Sequence, residues 1–182
     1  MDRGAALELL NSHVKTKNLV KHCLATEAVL GALAVRLGQD EEAWRLAGLL
    51  HDVDYDQTAN DPEAHARVGA GILQEAGLAP EITHAVLAHA DKAPRESALD
   101  RALWCVDPLT GLIVAAALIR PEKKLGAIDA QFVLNRMKEK SFARGASREQ
   151  IRACEAELGV PLEEFVDIAV RAMQGISDEL GL

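Results

Sequence analysis

Cysteine is scarce. The three present, Cys23, Cys105 and Cys154, are isolated, odd in number and in no Cys-x-x-Cys pair. That leaves no disulfide framework to read, and they are expected to fill the core of a reduced, cytoplasmic protein. Basic residues are outnumbered, 20 Lys+Arg against 28 Asp+Glu, for a formal net charge of −8. This balance argues against an extended nucleic-acid surface, while allowing a nucleotide or phosphate ester at one local site. Long apolar runs are missing too. Leu109–Ile119 is too short to span a bilayer and is bracketed by Pro108 and Pro121, so no membrane partner is expected. Met1-Asp2-Arg3-Gly4 lacks the basic-then-apolar pattern of a signal peptide. Aromatic residues make up only 3% of the chain, and no segment alternates as a strand would.

What is present is aliphatic. Leu, Ala and Val dominate, with 49% hydrophobic and 26% charged residues, ordinary for a soluble globular protein. A chain of 182 residues can bury a core without disulfides or a structural metal. Apolar residues recur at helical spacing, so the fold class is all-α, a bundle of about eight or nine helices. Expected first are Ala5–Asn11, Lys17–Leu37 ending at Gly38, and Glu41–Leu50 capped by Asp40. An acidic loop, His51–Asn60, precedes a helix opened by Asp61-Pro62-Glu63 and stopped at Gly77. Helices from Pro80 to Ala90, from Ser97 to Ile119 with a kink at Pro108, and over Asp129–Lys140 follow. A capping box, Ser147-Arg148-Glu149-Gln150, opens the next, and Pro161 opens the last, which ends at Gly181. Residues 1–142 form the main domain and 143–182 a C-terminal extension of the same bundle, since no histidine lies beyond residue 89.

The histidines carry the chemistry. They are His13, His22, His51, His65, His84 and His89, and His51 is followed directly by Asp52. A further candidate donor, Asp107, sits in an apolar context, Leu103-Trp104-Cys105-Val106-Asp107. Imidazole and carboxylate together suit divalent transition ions, and helices of a bundle can aim such groups at one point. A neighbouring His-Asp pair can reach one ion only where the chain leaves helical geometry. Leu49-Leu50 before the pair and the acidic loop after it place it at such a helix end. Taken singly, a histidine on a helical face is most often structural. The joint order along the chain is the signal.

That order over residues 22–107 resembles the HD-domain metal-dependent phosphohydrolase superfamily. The segment Ala47-Gly48-Leu49-Leu50-His51-Asp52-Val53-Asp54 is similar to the HDIG subgroup motif, with Asp54 where that subgroup has glycine. The resemblance implies an HD-type helical bundle and one or two divalent ions (Fe, Mn, Zn, Ni, Co or Mg). It implies His22, His51, Asp52 and Asp107 as ligands of a first ion, with Asp52 bridging to a second held by His65 and His89. Many relatives have a further histidine where Ala90 stands. His84 lies five positions from His89, about 140° around a helix, so the two do not share an ion. His84 is expected at the surface or in support, and His13 outside the site.

The resemblance further implies hydrolysis of a phosphate ester, a nucleotide or related small phosphorylated metabolite, by metal-activated water. Asp52 and Tyr55 are the candidate catalytic residues. Tyr55 stands where other branches carry glutamate or lysine, and it either donates to a phosphate oxygen or packs over the loop. Asp52, Asp54, Asp56, Asp61 and Glu63 crowd the loop, which suits a phosphate only if cations reverse the local field. Lys21, Arg45 and Lys92 are the candidate phosphate-binding cations. Two other readings accompany the hydrolase: a mixed-valent di-iron oxygenase on the same fold, and a non-catalytic metal-containing ligand-binding module. A homo-oligomer is compatible with all three.

Overall fold

In the computed structural model, which describes all 182 residues, the chain is helical throughout with no strand. Its first half contains α1 (Arg3–His13), α2 (Lys17–Leu37), α3 (Glu41–Leu50), α4 (Tyr55–Thr58), α5 (Arg67–Glu75) and α6 (Pro80–His89). Then come α7 (Ala98–Leu118), a 3-10 turn (Leu125–Ala127), α8 (Ala130–Met137), α9 (Arg148–Arg152), α10 (Cys154–Leu158), α11 (Leu162–Gly175) and α12 (Ser177–Leu180). The two expected helices α2 and α3 match residue for residue. Gly38 closes α2 in the left-handed conformation, and the Asp40 carboxylate accepts from Ala43 N–H to open α3. Such a cap stabilises a helix by about 1 kcal/mol.

The centre of the bundle is aliphatic. Leu30, Leu33, Leu49, Leu50, Leu109 and Ile113 are fully buried in one continuous core. The C-terminal helices share it: α11 packs on α2 and α8, and places Phe165 and Met173 inside. Each buried leucine truncated to alanine costs about 2–5 kcal/mol.

Three departures from the sequence reading have physical causes. Asp61 does not open a long helix. Its carboxylate accepts from Glu63 and Ala64 N–H and closes a turn, after which Ala66 adopts φ 65° and the helix starts only at Arg67. As expected, α7 continues through Pro108. The carbonyl left without its helical donor, that of Trp104, accepts instead from the Gln150 side chain at 3.4 Å. That same contact dissolves the expected capping box: Ser147 does accept from Gln150 N–H, but the Gln150 amide is engaged on α7. The helix count rises to twelve because the acidic loop forms α4 and the last two expected helices each break in two.

Two of these helices, Lys17–Leu37 and Ala98–Leu118, are long and apolar enough to cross a membrane by length and composition alone. More than half of each apolar window is buried inside the bundle, as in the core helices of many soluble domains. Cys23, Cys105 and Cys154 are free thiols, all buried.

Candidate metal centre

Four helices and one turn deliver the six donors. His22 lies in the first half of α2, His51 and Asp52 at the end of α3, His65 in the turn before α5, His89 at the end of α6, and Asp107 in the middle of α7. The crossing of α2 and α3 sets the first distance. A Cβ at Gly48 would stand 2.8 Å from the backbone of Thr26 and Glu27, so only glycine admits this approach. It brings His22 Nε2 to 3.1 Å from His51 Nε2.

The Asp52 carboxylate sits between two pairs of rings. Its Oδ2 lies 3.7 Å from His22 Nε2 and 3.5 Å from His51 Nε2. Its Oδ1 lies 3.6 Å from His65 Nε2 and 3.6 Å from His89 Nε2. Asp107 Oδ1 approaches His22 Nε2 at 3.0 Å and His51 Nε2 at 3.8 Å. One oxygen of Asp52 therefore faces each histidine pair, and Asp107 completes the first.

Every ring is fixed by its other nitrogen. His51 Nδ1 donates to the Gly48 carbonyl (2.8 Å) and His89 Nδ1 to the Val86 carbonyl (2.5 Å). Thr110 Oγ1 donates to the Asp107 carbonyl, so it accepts from His22 Nδ1 at 3.0 Å. His65 Nδ1 donates to Asp54 Oδ1 (3.1 Å), while Asp54 Oδ2 accepts from Gly69 N–H (2.9 Å). These partners assign one tautomer to all four imidazoles, with Nε2 turned toward the carboxylates. Nitrogen lone pairs and carboxylate oxygens facing one another need cations or protons between them. The donor set, histidine nitrogen and aspartate oxygen with outer hydrogen bonds in place, suits divalent ions.

The electrostatics agree. Burial pushes His51 down to about 4 despite Asp52 beside it. Burial also opposes charge on His22 and His89, but Asp107 beside the first and Asp52 beside the second outweigh it and raise both. Burial would raise the Asp52 carboxyl, yet His51, His89 and His22 hold it far below the usual range. Asp107 is likewise held low, chiefly by His22 acting against burial. Both carboxylates therefore stay ionised in a setting that otherwise disfavours charge.

The rest of the acidic loop has other work. Asp54 is fully buried and holds His65. Asp56 accepts from Lys15 and Thr16 N–H (2.6 and 3.0 Å), holding the residues that lead into α2 from across the chain. Glu63 pairs with Lys92 at 3.2 Å. Only Asp52 of this loop faces the donor cluster. Tyr55 is partly exposed and sets its ring edge-on to His65, with centroids 5.1 Å apart.

Other candidates lie apart. His84 bonds Asp100 (3.1 Å), and His13 meets Gln57. Arg45 pairs with Glu41 and covers Gly31, nine residues along α2 from His22, roughly 13 Å. The structure does not bring it to the cluster. Lys21 lies beside His22 and makes no ion pair, with its Nζ against Gly181. Sequence reasoning missed Thr110 and Gly48. The only available signals were spacing: Thr110 follows Asp107 by three, on one helical face, and Gly48 precedes His51 by three.

Two groups in this helical bundle, His22–His51–Asp107 and His51–Asp52–His89, could each hold a metal ion. The chain belongs to the HD domain family, whose model matches residues 19–140. Among similar curated proteins is the Ribonuclease Y of Oleidesulfovibrio alaskensis, 32% identical over 96 residues, 53% of this chain and 18% of that protein. The Ribonuclease Y of Nitratidesulfovibrio vulgaris is 34% identical over 98 residues (53% and 18%), and that of Syntrophobacter fumaroxidans 34% over 97 residues (52% and 18%). The chain thus spans about a fifth of the length of these relatives. No solved structure matches it significantly. The comparison corrects one expectation. A small phosphate ester as partner, with no nucleic-acid surface, does not fit relatives named as ribonucleases. The inference failed because net charge averages the whole chain, whereas the charge that meets a phosphate is local to the site.

Proposed function

We propose that this protein is a metal-dependent hydrolase of RNA phosphodiester bonds, working at the His22, His51, Asp52, His65, His89 and Asp107 cluster. The observation that carries the reading is Asp52, which presents one oxygen to each pair of histidines. In this reading His22, His51, Asp52 and Asp107 hold one divalent ion, and Asp52, His65 and His89 a second. Bound there, such ions supply water of lowered pKa and positive charge for the phosphoryl oxygens. The chain's own part is to hold the donors. The carbonyls of Gly48 and Val86, Thr110 and Asp54 fix the rings, so little reorganisation remains for the reaction. Asp52 stays ionised, the form in which it could serve both ions, and is the candidate catalytic residue on that ground. Tyr55, partly exposed beside His65, is placed to donate its hydroxyl hydrogen to a phosphate oxygen. Lys92, tied to Glu63, meets substrate only if that pair opens.

The names of the relatives support RNA as the substrate class, and a site-local charge reconciles it with a net charge of −8. The test is cleavage of short RNA by protein purified without chelators and reconstituted with Mn, Fe, Zn, Co, Ni or Mg in turn. Cleavage in wild type, lost in Asp52→Ala, supports the reading. Intact RNA with every ion, in a chain that has bound two ions, overturns it.

A further inference from the structure

Beyond the donor cluster, a cleft of about 400 Å³ runs between α2 and α7. That volume falls within the range of small-ligand sites. Two of its walls are helical faces read at regular spacing, Asn18, Lys21, His22 and Ala25 on α2 and Thr110, Gly111, Val114 and Leu118 on α7, and the segment Leu180–Leu182 forms the third. His22 belongs to both cleft and cluster, with its Nε2 turned to Asp107 and Asp52. Whatever enters the cleft therefore lies next to the bond that the cluster would cleave.

The lining is specific in chemistry. Val114 and Leu118 offer an apolar wall, and Leu118 remains 47% exposed. Asn18 brings an amide that both donates and accepts. Lys21 brings a positive charge with no carboxylate partner, whereas Arg45 and Lys92 are both paired. Gly111 is the telling position. It lies inside a 21-residue helix, where glycine weakens the element. No atom lies within 4 Å of where its Cβ would stand, so packing does not require it. Its missing side chain leaves the floor of the cleft open.

We infer that this α2–α7 cleft is a nucleoside subsite, taking the base and ribose next to the scissile phosphate, with Lys21 on an adjoining phosphate. This rests on the proposed RNA hydrolysis. The base lies against Val114 and Leu118, Asn18 meets its polar edge, and Gly111 provides the room.

The test uses the metal-reconstituted chain and a fluorescein-labelled phosphorothioate RNA pentamer, with binding read by anisotropy. Gly111→Leu raises Kd about tenfold, while its metal content is unchanged and its Tm does not fall, because leucine is the better helix former. Lys21→Gln weakens binding severalfold and reduces the slope of log K against log salt by about 0.7, the loss of one contact to a single strand. If wild type binds the pentamer and both variants bind it equally well with the same salt slope, the cleft is not the subsite, and RNA hydrolysis still stands. If wild type with both ions neither binds nor cleaves RNA, the proposed function falls, and the subsite with it.

Discussion

The two halves of the donor cluster are built differently. His22 and Asp107 project from the interiors of the two longest helices, and His51 caps a third without leaving helical geometry (φ −59°, ψ −34°). His65 and His89 sit at junctions. Non-glycine residues with positive φ stand close by, Ala66 directly after His65 at φ 65° and Asp91 two residues after His89 at φ 57°, a conformation costing roughly 1–2 kcal/mol. The first half inherits its geometry from helix packing. The second depends on local turns and on one carboxylate, Asp54. A site so divided should hold its first ion firmly and its second conditionally.

The largest test removes the element common to both halves. Asp52→Ala is expected to bind neither ion by plasma mass spectrometry and to lose at least about a thousandfold in RNA cleavage, roughly 4 kcal/mol. His65→Ala should keep one ion per chain. Retention of two would show that the halves are not separable along this line. Asp54→Asn leaves the fold but weakens the hold on His65, so affinity for the second ion should drop about 10–100-fold, with the first unchanged. Titration of the chelated protein with Mn or Zn separates the two steps. The smallest effect is expected from Ala66→Gly, which relieves the left-handed strain and changes unfolding free energy by about 1 kcal/mol or less, with metal content intact. A large loss of metal from this variant would mean that the strain itself sets the site.

The same division governs what could be read in advance. α2 and α3 were legible to the residue because Gly38 and Asp40 punctuate them and nothing tertiary overrides the local signals. The turn over residues 61–66 was not. Asp61-Pro62-Glu63 is a sound helix opening, but His65 must turn inward to Asp54 before the helix can begin. The donors of the first half share helix faces, and Gly48 and Val86 sit three residues before the rings they hold, whereas Asp54 reaches His65 across a turn that periodicity does not encode. Thr110 shows the boundary well. Its spacing from Asp107 put it on the right face, yet its bond to a ring 88 residues away required the packed structure.

The contact at Gly48 has a further consequence. Because backbone meets backbone there, the gap between His22 and His51 is set by main-chain atoms that cannot yield as side chains do. If the proposed ions bind there, the crossing limits the ionic radius that His22 and His51 can share. A methyl group at this position would prise α2 from α3 and widen the gap, so the Gly48→Ala chain should shift its preference among divalent ions toward larger ones while keeping every ligand it had.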